Sequence, residues 1–283
     1  MNSVQPTKKV RISAVIIIAL LSLFAFLQVF PFYLELIRSM QPKAFEPSYG
    51  RLYLWPEGFA FSNYTAAFKQ GDLGAGYINS LIVSVSYVLL SSAVVLVTGY
   101  VFGKKNFPGK RAMFFALLST MMIPGEVLLV PNYFLINRLG MMDSLTALIF
   151  PGIVNIFGIF LVKQYMNSIP DSLTEAARLD GLKEIGIIIR IILPLALPIL
   201  GTYIILNFVG TWNDYLWPSL VLRTDTLYTL QIKLMVFNPS FSTPWDQTLL
   251  AAGLVLTLFP VIIVYLIFQR RLIDSVALSG TKA

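Results

Sequence analysis

The chain has 283 residues, of which 57% are hydrophobic and 12% charged, and it carries a formal net charge of +7. A typical soluble domain is about a quarter charged, so a water-soluble fold this apolar would lack an adequate polar surface. The absence of Cys and His leaves no disulfide, no thiolate, no imidazole base and no usual zinc site. These figures argue for a membrane protein and against most metal-dependent and nucleophilic mechanisms.

Six hydrophobic runs are long enough, or nearly so, to cross the bilayer core, which takes about 20 apolar residues. They lie in chain order at residues 12–37, 77–101, 112–136, 146–162, 191–209 and 249–268. Unpaired backbone amides are costly in hydrocarbon and no alternating pattern suggests a barrel, so the sequence predicts an all-α fold with six transmembrane helices. The first run stays apolar well beyond the h-region of a secretory signal, so we interpret it as a retained anchor.

The distribution of Lys and Arg between alternate loops predicts the orientation. The amino terminus, 102–111, 163–190 and the carboxy tail hold 14 of these residues in 64 positions, whereas the opposite side holds 7 in 87 positions. The positive-inside rule therefore places both termini in the cytoplasm. This topology explains the net positive charge, so we expect no nucleic-acid partner.

Two segments on the outer side, 38–76 and 210–248, are long and carry Pro, Gly and aromatic residues. Either they cap the helix bundle, or segment 210–248 meets a partner outside the membrane. The sequence contains no Gly-x-x-x-x-Gly-Lys-Ser/Thr phosphate loop, so we expect the chain to bind no ATP itself. Any energy from ATP would come through a partner subunit.

The loop 168–190 predicts a short helix with its own start and stop. Ser172 and Glu175 have the spacing of a capping box, and Gly181 suits the left-handed residue that ends a helix. Leu173, Ala176 and Ala177 would form a narrow apolar stripe of small relief. A helix of about two turns is marginal alone in water, so it either docks on a partner or lies as an amphipathic helix at the membrane surface.

The spacing of this loop resembles the signature of binding-protein-dependent ABC importer permeases. The matching positions are Glu175-Ala176-Ala177, then Gly181, and then Ile191 and Leu193-Pro194 ahead of the fifth run. The resemblance implies an ABC type I importer permease fold in which the loop forms a coupling helix seated on an ATPase subunit. The ATPase-coupling residues that it implies are Glu175, Ala176, Ala177, Asp180 and Gly181.

Further motifs resemble the second, six-span permease subunit of maltose-type carbohydrate importers. They are 123–127, 169–171, the run Trp-Asn-Asp-Tyr-Leu-Trp-Pro at 212–218, and the tail after 269–271. Leu182, Ile188 and the final five residues depart from the usual pattern. The resemblance divides the chain into an amino-terminal part at 1–74, a permease core at 75–268 and a cytoplasmic tail at 269–283.

The same resemblance implies the partners and cofactors. It implies a homologous second permease, two ATPase subunits that bind ATP and Mg, an extracytoplasmic sugar-binding protein, and a sugar or oligosaccharide in a bacterial cytoplasmic membrane. It also implies that the tail 278–283 reaches the ATPases and that part of 237–247 inserts towards the sugar.

Candidate substrate contacts are side chains that offer hydrogen bonds or a flat apolar face to a sugar. Glu126 would lie about 20 Å along the third span if that span were one straight helix, and an ionisable group there would face a cavity or a partner. The amides could instead be interhelical hydrogen bonds and the tryptophan part of an interfacial belt. The candidates are Glu126, Asn155, Asn207, Trp212, Asn213 and Asp214.

Other functions stay open at this point. A self-sufficient channel or secondary transporter would need charged relays or broken inverted repeats. A membrane-embedded enzyme would need catalytic groups that the composition does not supply. An ABC permease for a non-sugar solute such as glycerol phosphate would share the loop signature.

Overall fold

Helices form almost all of the regular structure in residues 8–43, 52–237 and 244–280, which are the residues that this computed structural model describes. Within those ranges there is no β-strand, and the all-α prediction is confirmed. The helices are α1 Lys8–Ser39, α2 Ser62–Gln70, α3 Leu73–Lys104, α4 Lys110–Thr120, α5 Leu129–Arg138, α6 Thr146–Ile149, α7 Ile156–Met166, α8 Asp171–Leu179, α9 Glu184–Ile187, α10 Leu193–Trp212, α11 Leu216–Val221, α12 Leu230–Leu234 and α13 Pro244–Gly280.

All six predicted runs coincide with helical segments, but only four of them are unbroken. The stretches Ala14–Ser39, Leu73–Lys104, Glu184–Trp212 and Gln247–Arg270 are long and apolar enough to cross a membrane. The third run divides into 110–120 and 125–138 with a bend of 89°, and the fourth divides into 146–152 and 156–166 with a bend of 45°. The chain therefore has up to six spans when each bent pair counts as one.

The bend in the third run coincides with Pro124. Pro124 has an extended backbone, with φ −57° and ψ 137°, and it lies directly before a short 3₁₀ turn at Gly125–Leu128. Proline removes a backbone donor and disfavours helical geometry in the residue before it. The helix therefore ends at Thr120 and a new one begins at Leu129.

The fifth run also differs from the prediction, because its helix begins seven residues earlier, at Glu184. A π-helical stretch, Ile188–Ile192, joins α9 to α10. A π turn is uncommon and is frequent at functional sites. The loop that precedes this helix is correspondingly shorter than the predicted 163–190.

The chain forms two compact units. One comprises residues 1–71 and 237–256, and its small core packs Ala67 and Phe237 with Leu249 and Ala252. The other comprises residues 72–236 and 257–283, and all of the predicted site residues lie in it.

Helix α3 is the centre of the larger unit and packs against α7 and α10. The contact between α3 and α7 is close because Gly99 has no side chain. A Cβ atom at this position would lie 2.6 Å from Cγ1 of Val162. Around this contact lie fully buried side chains such as Tyr100, Met166 and Tyr203.

Candidate functional site

Helix α8, in the predicted coupling loop, begins two residues before Leu173, the first helical residue that a capping box at Ser172 predicts. Its first residue is Asp171, which follows the extended Pro170, and no side chain caps the start. Ser172 therefore lies inside the first turn, and the predicted Ser172–Glu175 capping box is wrong. Pro170 explains the early start, because it has no N–H to satisfy and holds the chain extended up to the helix. The acidic Asp171 also complements the positive end of the helix dipole.

The end of α8 is as predicted. Gly181 has φ +83°, the left-handed conformation that glycine adopts without strain. The N–H of Gly181 donates to the carbonyl of Arg178 at 3.0 Å, and the N–H of Leu182 donates to the carbonyl of Ala177 at 3.0 Å. These two bonds form a Schellman motif, which turns the chain sharply from α8 towards α9.

The two faces of α8 have different surroundings. Thr174 and Ala177, three residues apart, are 3% and 4% exposed, so they form the inner face. Ala176 is exposed, and the side chains of Leu173 and Leu179 are 43% and 89% exposed. The predicted stripe is therefore divided: Ala177 faces inward, whereas Leu173 and Ala176 face outward together with Leu179, a residue that the sequence reasoning did not include.

An ion pair fastens the start of α8 to the end of α3. The Lys104 ammonium, whose side chain is 6% exposed, donates to Oδ1 of Asp171 at 2.6 Å and also to the carbonyl of Ile169. The hydrogen bond and charge of Lys104 hold the pKa of the Asp171 carboxyl below its ordinary value. Lys104 is thus the buried partner that positions the helix start.

A second polar cluster fastens the end of α8. The Glu184 carboxylate at the start of α9 accepts from Arg178 Nε at 3.1 Å, from the Tyr100 hydroxyl at 3.0 Å and from the Lys105 ammonium. The hydrogen bond to Glu184 raises the pKa of Arg178 above its ordinary value. The Glu184 carboxylate at the start of α9 therefore links the end of α3 to the end of α8.

The sequence reasoning missed these anchoring residues. Lys104 and Lys105 contribute only to the count of loop cations, Glu184 has no role in the sequence analysis, and Tyr100 falls inside a predicted span. The available signal was that Lys104-Lys105 in loop 102–111 and Glu184 in loop 163–190 carry opposite charges. The predicted topology places both loops on the same side of the membrane, where these charges can pair.

Two of the predicted substrate contacts, Asn155 and Asn207, lie together. Asn155 Nδ2 donates to Oδ1 of Asn207 at 3.1 Å, and the hydroxyl of Tyr87 is 3.5 Å from both side chains. Asn155 is also the cap of α7, since its Oδ1 accepts from the N–H of Gly158 at 2.8 Å. Both amides are half-buried, so this cluster joins α3, α7 and α10 without being fully enclosed by them.

The residues at the end of α10 have mainly structural contacts. Trp212 is fully buried, stacks on Phe208 with ring centroids 5.7 Å apart, and donates its indole N–H to the carbonyl of Thr257. The exposed Asn213 accepts a long hydrogen bond from Gln231 at 3.5 Å. Trp212 therefore has neither a free face nor a free polar edge for a solute.

Asp214 helps to start α11. Its Oδ1 accepts from the N–H of Trp217 at 3.3 Å. Burial raises the pKa of the Asp214 carboxyl, and the backbone N–H groups of Trp217 and Leu216 oppose that rise. The indole of Trp217 in turn donates to the carbonyl of Ala147, so Asp214 organises a local corner of the fold.

Glu126 occupies the 3₁₀ turn after the bend in the third run, and its side chain is exposed. The predicted depth of about 20 Å assumed 1.5 Å of rise per residue along one helix. The 89° bend before this residue removes that assumption. Across the part of the chain that the structure describes, no hydrogen bond or ion pair holds the Glu126 carboxylate.

The predicted tail contact at 278–283 and the predicted sugar-directed loop at 237–247 lie largely outside the described residues. Both stay predictions.

Comparison with known proteins identifies the family. Residues 95–277 match the family described as "Binding-protein-dependent transport system inner membrane component". The chain is 34% identical over 274 residues to the arabinooligosaccharides transport system permease protein AraQ of Bacillus subtilis, covering 96% of each chain. It is 32% identical to the sn-glycerol-3-phosphate transport system permease protein UgpE of Pectobacterium atrosepticum, over 71% of this chain and 73% of that one.

A solved structure is similar along nearly the whole length. It is a chain from the crystal structure of a bacterial ABC transporter involved in the import of the acidic polysaccharide alginate. The TM-score is 0.83 at 26% identity, covering 95% of this chain and 99% of that chain. The type I importer permease fold and the multi-pass membrane location are thereby confirmed. Since the matched residues make up more than half of the sequence, this chain belongs to the binding-protein-dependent transport system inner membrane components and is an ABC importer permease rather than an enzyme.

Proposed function

We propose that this chain is one permease half of an ATP-driven carbohydrate importer and that α8 is its coupling helix. The observation that carries the proposal is the outer face of α8, where Leu173, Ala176 and Leu179 are exposed outside the apolar spans. Such a face is costly in water unless another surface covers it. The small Ala176 side chain lets that surface approach the helix backbone closely.

The anchoring of α8 supports a mechanical role. Its start is tied to α3 through Lys104 and Asp171, and its end to α3 and α9 through Glu184. A displacement of α8 by a closing ATPase would therefore move the cytoplasmic end of α3, around which α7 and α10 pack. Rigid-body movement of packed helices is a common route to alternating access.

The partners follow from this role. Two ATPase subunits would bind ATP and Mg and would close on the coupling helices. A homologous second permease would complete the pathway, and an extracytoplasmic binding protein would deliver the solute. Within this chain the proposed ATPase contacts are Glu175, Ala176, Asp180 and Gly181, with Ala177 supporting them from the inner face and with Leu173 and Leu179 added by the exposure of their side chains.

A sugar or oligosaccharide is the proposed solute. The relatives named for arabinooligosaccharides and for the acidic polysaccharide alginate are both named for carbohydrates, of which the arabinooligosaccharides are the neutral ones. The half-buried cluster of Tyr87, Asn155 and Asn207 offers amide and phenol groups, which suit a neutral solute rich in hydroxyl groups. The proposed pathway includes Asn155, Asn207 and the exposed Glu126. It does not include Trp212, which is buried, or Asn213 and Asp214, whose contacts are structural.

Glycerol phosphate is the second candidate, because UgpE is a relative at 32% identity. A phosphate ester requires cationic or backbone N–H donors. In the described residues, no cation is hydrogen-bonded to the Tyr87, Asn155 or Asn207 side chains. This favours the neutral sugar.

The coupling role is tested by adding charge to the outer face of α8. The chain would be reconstituted in nanodiscs with a candidate partner permease, ATPase and binding protein, and ATP hydrolysis would be measured with and without the loaded binding protein. Ala176→Arg should abolish the stimulation, because a long charged side chain prevents close docking. Asn106→Arg adds the same charge to the exposed loop after α3 and should leave stimulation intact.

Equal activity of the two variants would contradict the coupling role. The solute is tested separately, by adding binding protein loaded with an arabino-oligosaccharide or with sn-glycerol 3-phosphate. Stimulation by the phosphate ester alone would overturn the sugar proposal and leave the coupling role standing.

A further inference from the structure

A groove of about 1020 Å³ lies in the larger unit, beside the end of α3 and between α4 and α7. Its lining is unusual in composition. It combines five phenylalanines with the three cations Lys110, Arg111 and Lys163, and among the described residues it contains no carboxylate. This volume is at the top of the range of roughly 300–1,000 Å³ for small-molecule sites.

Two of the cations lie against aromatic rings rather than against acids. The Lys163 ammonium is 5.1 Å from the centroid of Phe114, and the Arg111 guanidinium is 5.7 Å from that of Phe115. Within the described ranges, neither cation has a carboxylate within 4.0 Å. The neighbouring Lys104 and Lys105 each hold one. Among the described residues, Arg111 and Lys163 therefore present positive charge that no carboxylate neutralises.

The groove runs from a polar end to an apolar one. Arg111, Phe115 and Leu118 follow one another on one face of α4 at spacings of four and three residues, and all three line the groove. Lys163 and Phe160 repeat this order on α7. The groove shares its end of the bundle with α8, since Lys104 at the end of α3 holds Asp171. If 110–138 and 146–166 are spans, as their length and composition allow, Arg111 and Lys163 lie near the ends of those spans, and Phe115, Leu118 and Phe160 lie further into them.

We propose that this groove binds an anionic phospholipid, with the headgroup phosphate between Arg111 and Lys163 and an acyl chain along Phe115 and Leu118. Arginine and lysine bind phosphate oxygens strongly, and basic pockets between spans on the cytoplasmic side suit anionic headgroups. The phenylalanines that line the groove offer an apolar surface to the acyl chain beside these cations. The inference goes beyond the importer function and does not depend on ATPase coupling or on the identity of the solute.

The test uses the full chain in a mild non-ionic detergent and measures lipid binding by native mass spectrometry. Phosphatidylglycerol and phosphatidylcholine with identical acyl chains would be titrated in parallel. The double variant Arg111→Gln/Lys163→Gln should weaken phosphatidylglycerol binding roughly thirtyfold, since each interfacial cation contributes about a factor of five. The double variant Arg138→Gln/Arg190→Gln loses the same charge elsewhere and should bind as the wild type does.

A photoreactive phosphatidylglycerol locates the site in the wild-type chain, so this result does not depend on whether a variant folds. Cross-links are expected in peptides that contain 111–118 and 160–164, and Arg111→Lys should retain them. Equal binding of the two lipids, or equal weakening in the two double variants, would overturn the proposal. So would full displacement of the lipid by inorganic phosphate, because the site would then belong to a soluble anion. In the assembled importer, cross-linking of the same positions to a partner subunit in place of lipid would also overturn it.

Discussion

Two short helices, α12 and α8, lie at opposite ends of α3, and they differ in how much of their surface the rest of the chain covers. At the start of α3, α12 buries Leu230, Lys233 and Leu234, each with at most 3% of its surface exposed. At the other end, α8 buries Thr174 and Ala177 and leaves Leu179 89% exposed. One helix is covered by its own chain, whereas the other retains an uncovered apolar face. The difference is the one that the proposed coupling role of α8 requires, since that role leaves the outer face of α8 to a partner.

The polar contacts follow the same division. Lys233 is 3% exposed and donates to Asp72 and Asp225, each at 2.8 Å, while Asn79 and Ser80 of α3 bind the backbone of segment 226–230. These contacts make the segment that contains α12 a cap on the bundle. Of the two alternatives for segment 210–248, capping is therefore supported for its described part.

The largest expected effect is on the packing of α12. A Cβ atom at Gly76 would lie 3.0 Å from the Cα of Leu230, so Gly76→Leu forces α12 off α3. We expect a loss of about 3 kcal/mol in the free energy of unfolding, measured by denaturant unfolding in detergent. Gly210→Leu places the same side chain where nothing lies within 4 Å and should cost far less. Similar losses in both variants would contradict the close contact.

The next effect concerns the buried lysine. Lys233→Met removes the charge and retains the apolar stem, and we expect a loss of about 2 kcal/mol because two charge-assisted hydrogen bonds disappear. Burial alone would lower the pKa of Lys233, but the bonds to Asp225 and Asp72 raise it above its ordinary value. The stabilisation is therefore full below about pH 10 and is lost as the pH rises through the raised pKa.

The measurement is the pH dependence of unfolding for the wild type and for Lys233→Met. The two stabilities should converge above pH 10. Lys183→Met, which removes an exposed lysine, should change neither the free energy of unfolding nor its dependence on pH. A constant difference between the wild type and Lys233→Met at alkaline pH would contradict the assigned ion pairs.

A smaller effect is expected at the start of α8. Asp171→Asn removes the ion pair with Lys104, and the Asp171 side chain is 72% exposed. Since its pKa is lowered in the folded state, the stabilisation is present above the unfolded pKa of about 3.9. It is lost as the pH falls through the folded pKa.

Thermal unfolding at pH 7 and at pH 3 checks this contribution. The wild type should melt above Asp171→Asn at pH 7, and the gap should narrow at the lower pH. Asp180, the residue that directly follows α8, has no ion pair among the described residues, so Asp180→Asn should melt as the wild type does at both pH values. A difference in melting temperature that is larger at pH 3 than at pH 7 would contradict the lowered pKa of Asp171 in the folded state.

The smallest effect on stability is expected on the outer face of α8. Leu179→Ser should change the free energy of unfolding by less than about 0.5 kcal/mol, because the side chain is almost fully exposed. The same change should nevertheless reduce the stimulated ATPase rate of the reconstituted importer. A large loss of stability would mean that Leu179 packs within its own chain.

The parts of the fold that were predictable depend on local composition. The apolar runs and Gly181 belong to this group, because burial in a bilayer and a left-handed turn each require particular residue types. The break before Glu126 was readable from Pro124, whose effect on the preceding residue is local. The early start of α8 at Asp171 was likewise readable from Pro170.

Other features depend on contacts between distant segments and were not predictable from local patterns. Nothing near Ile188–Ile192 distinguishes a π turn from an ordinary helix. Which face of α8 turns inward depends on contacts that tie the helix to α3. Lys104 and Asp171 are 67 residues apart in the sequence, and Tyr100 and Glu184 are 84 residues apart. The pairing of Asn155 with Asn207 required the packing of α7 against α10.

The most direct test of the outer face of α8 is site-specific cross-linking, which the chain permits because it contains no cysteine. Leu179→Cys and, as a control at the other end of α3, the exposed Thr226→Cys would each be treated with a bifunctional thiol reagent in membranes that contain the ATPase. We expect the ATPase to cross-link to Leu179→Cys, to change in yield when ATP is added, and not to cross-link to Thr226→Cys. Free maleimide labelling of Leu179→Cys in the assembled complex, with no ATPase adduct, would contradict the coupling role of α8.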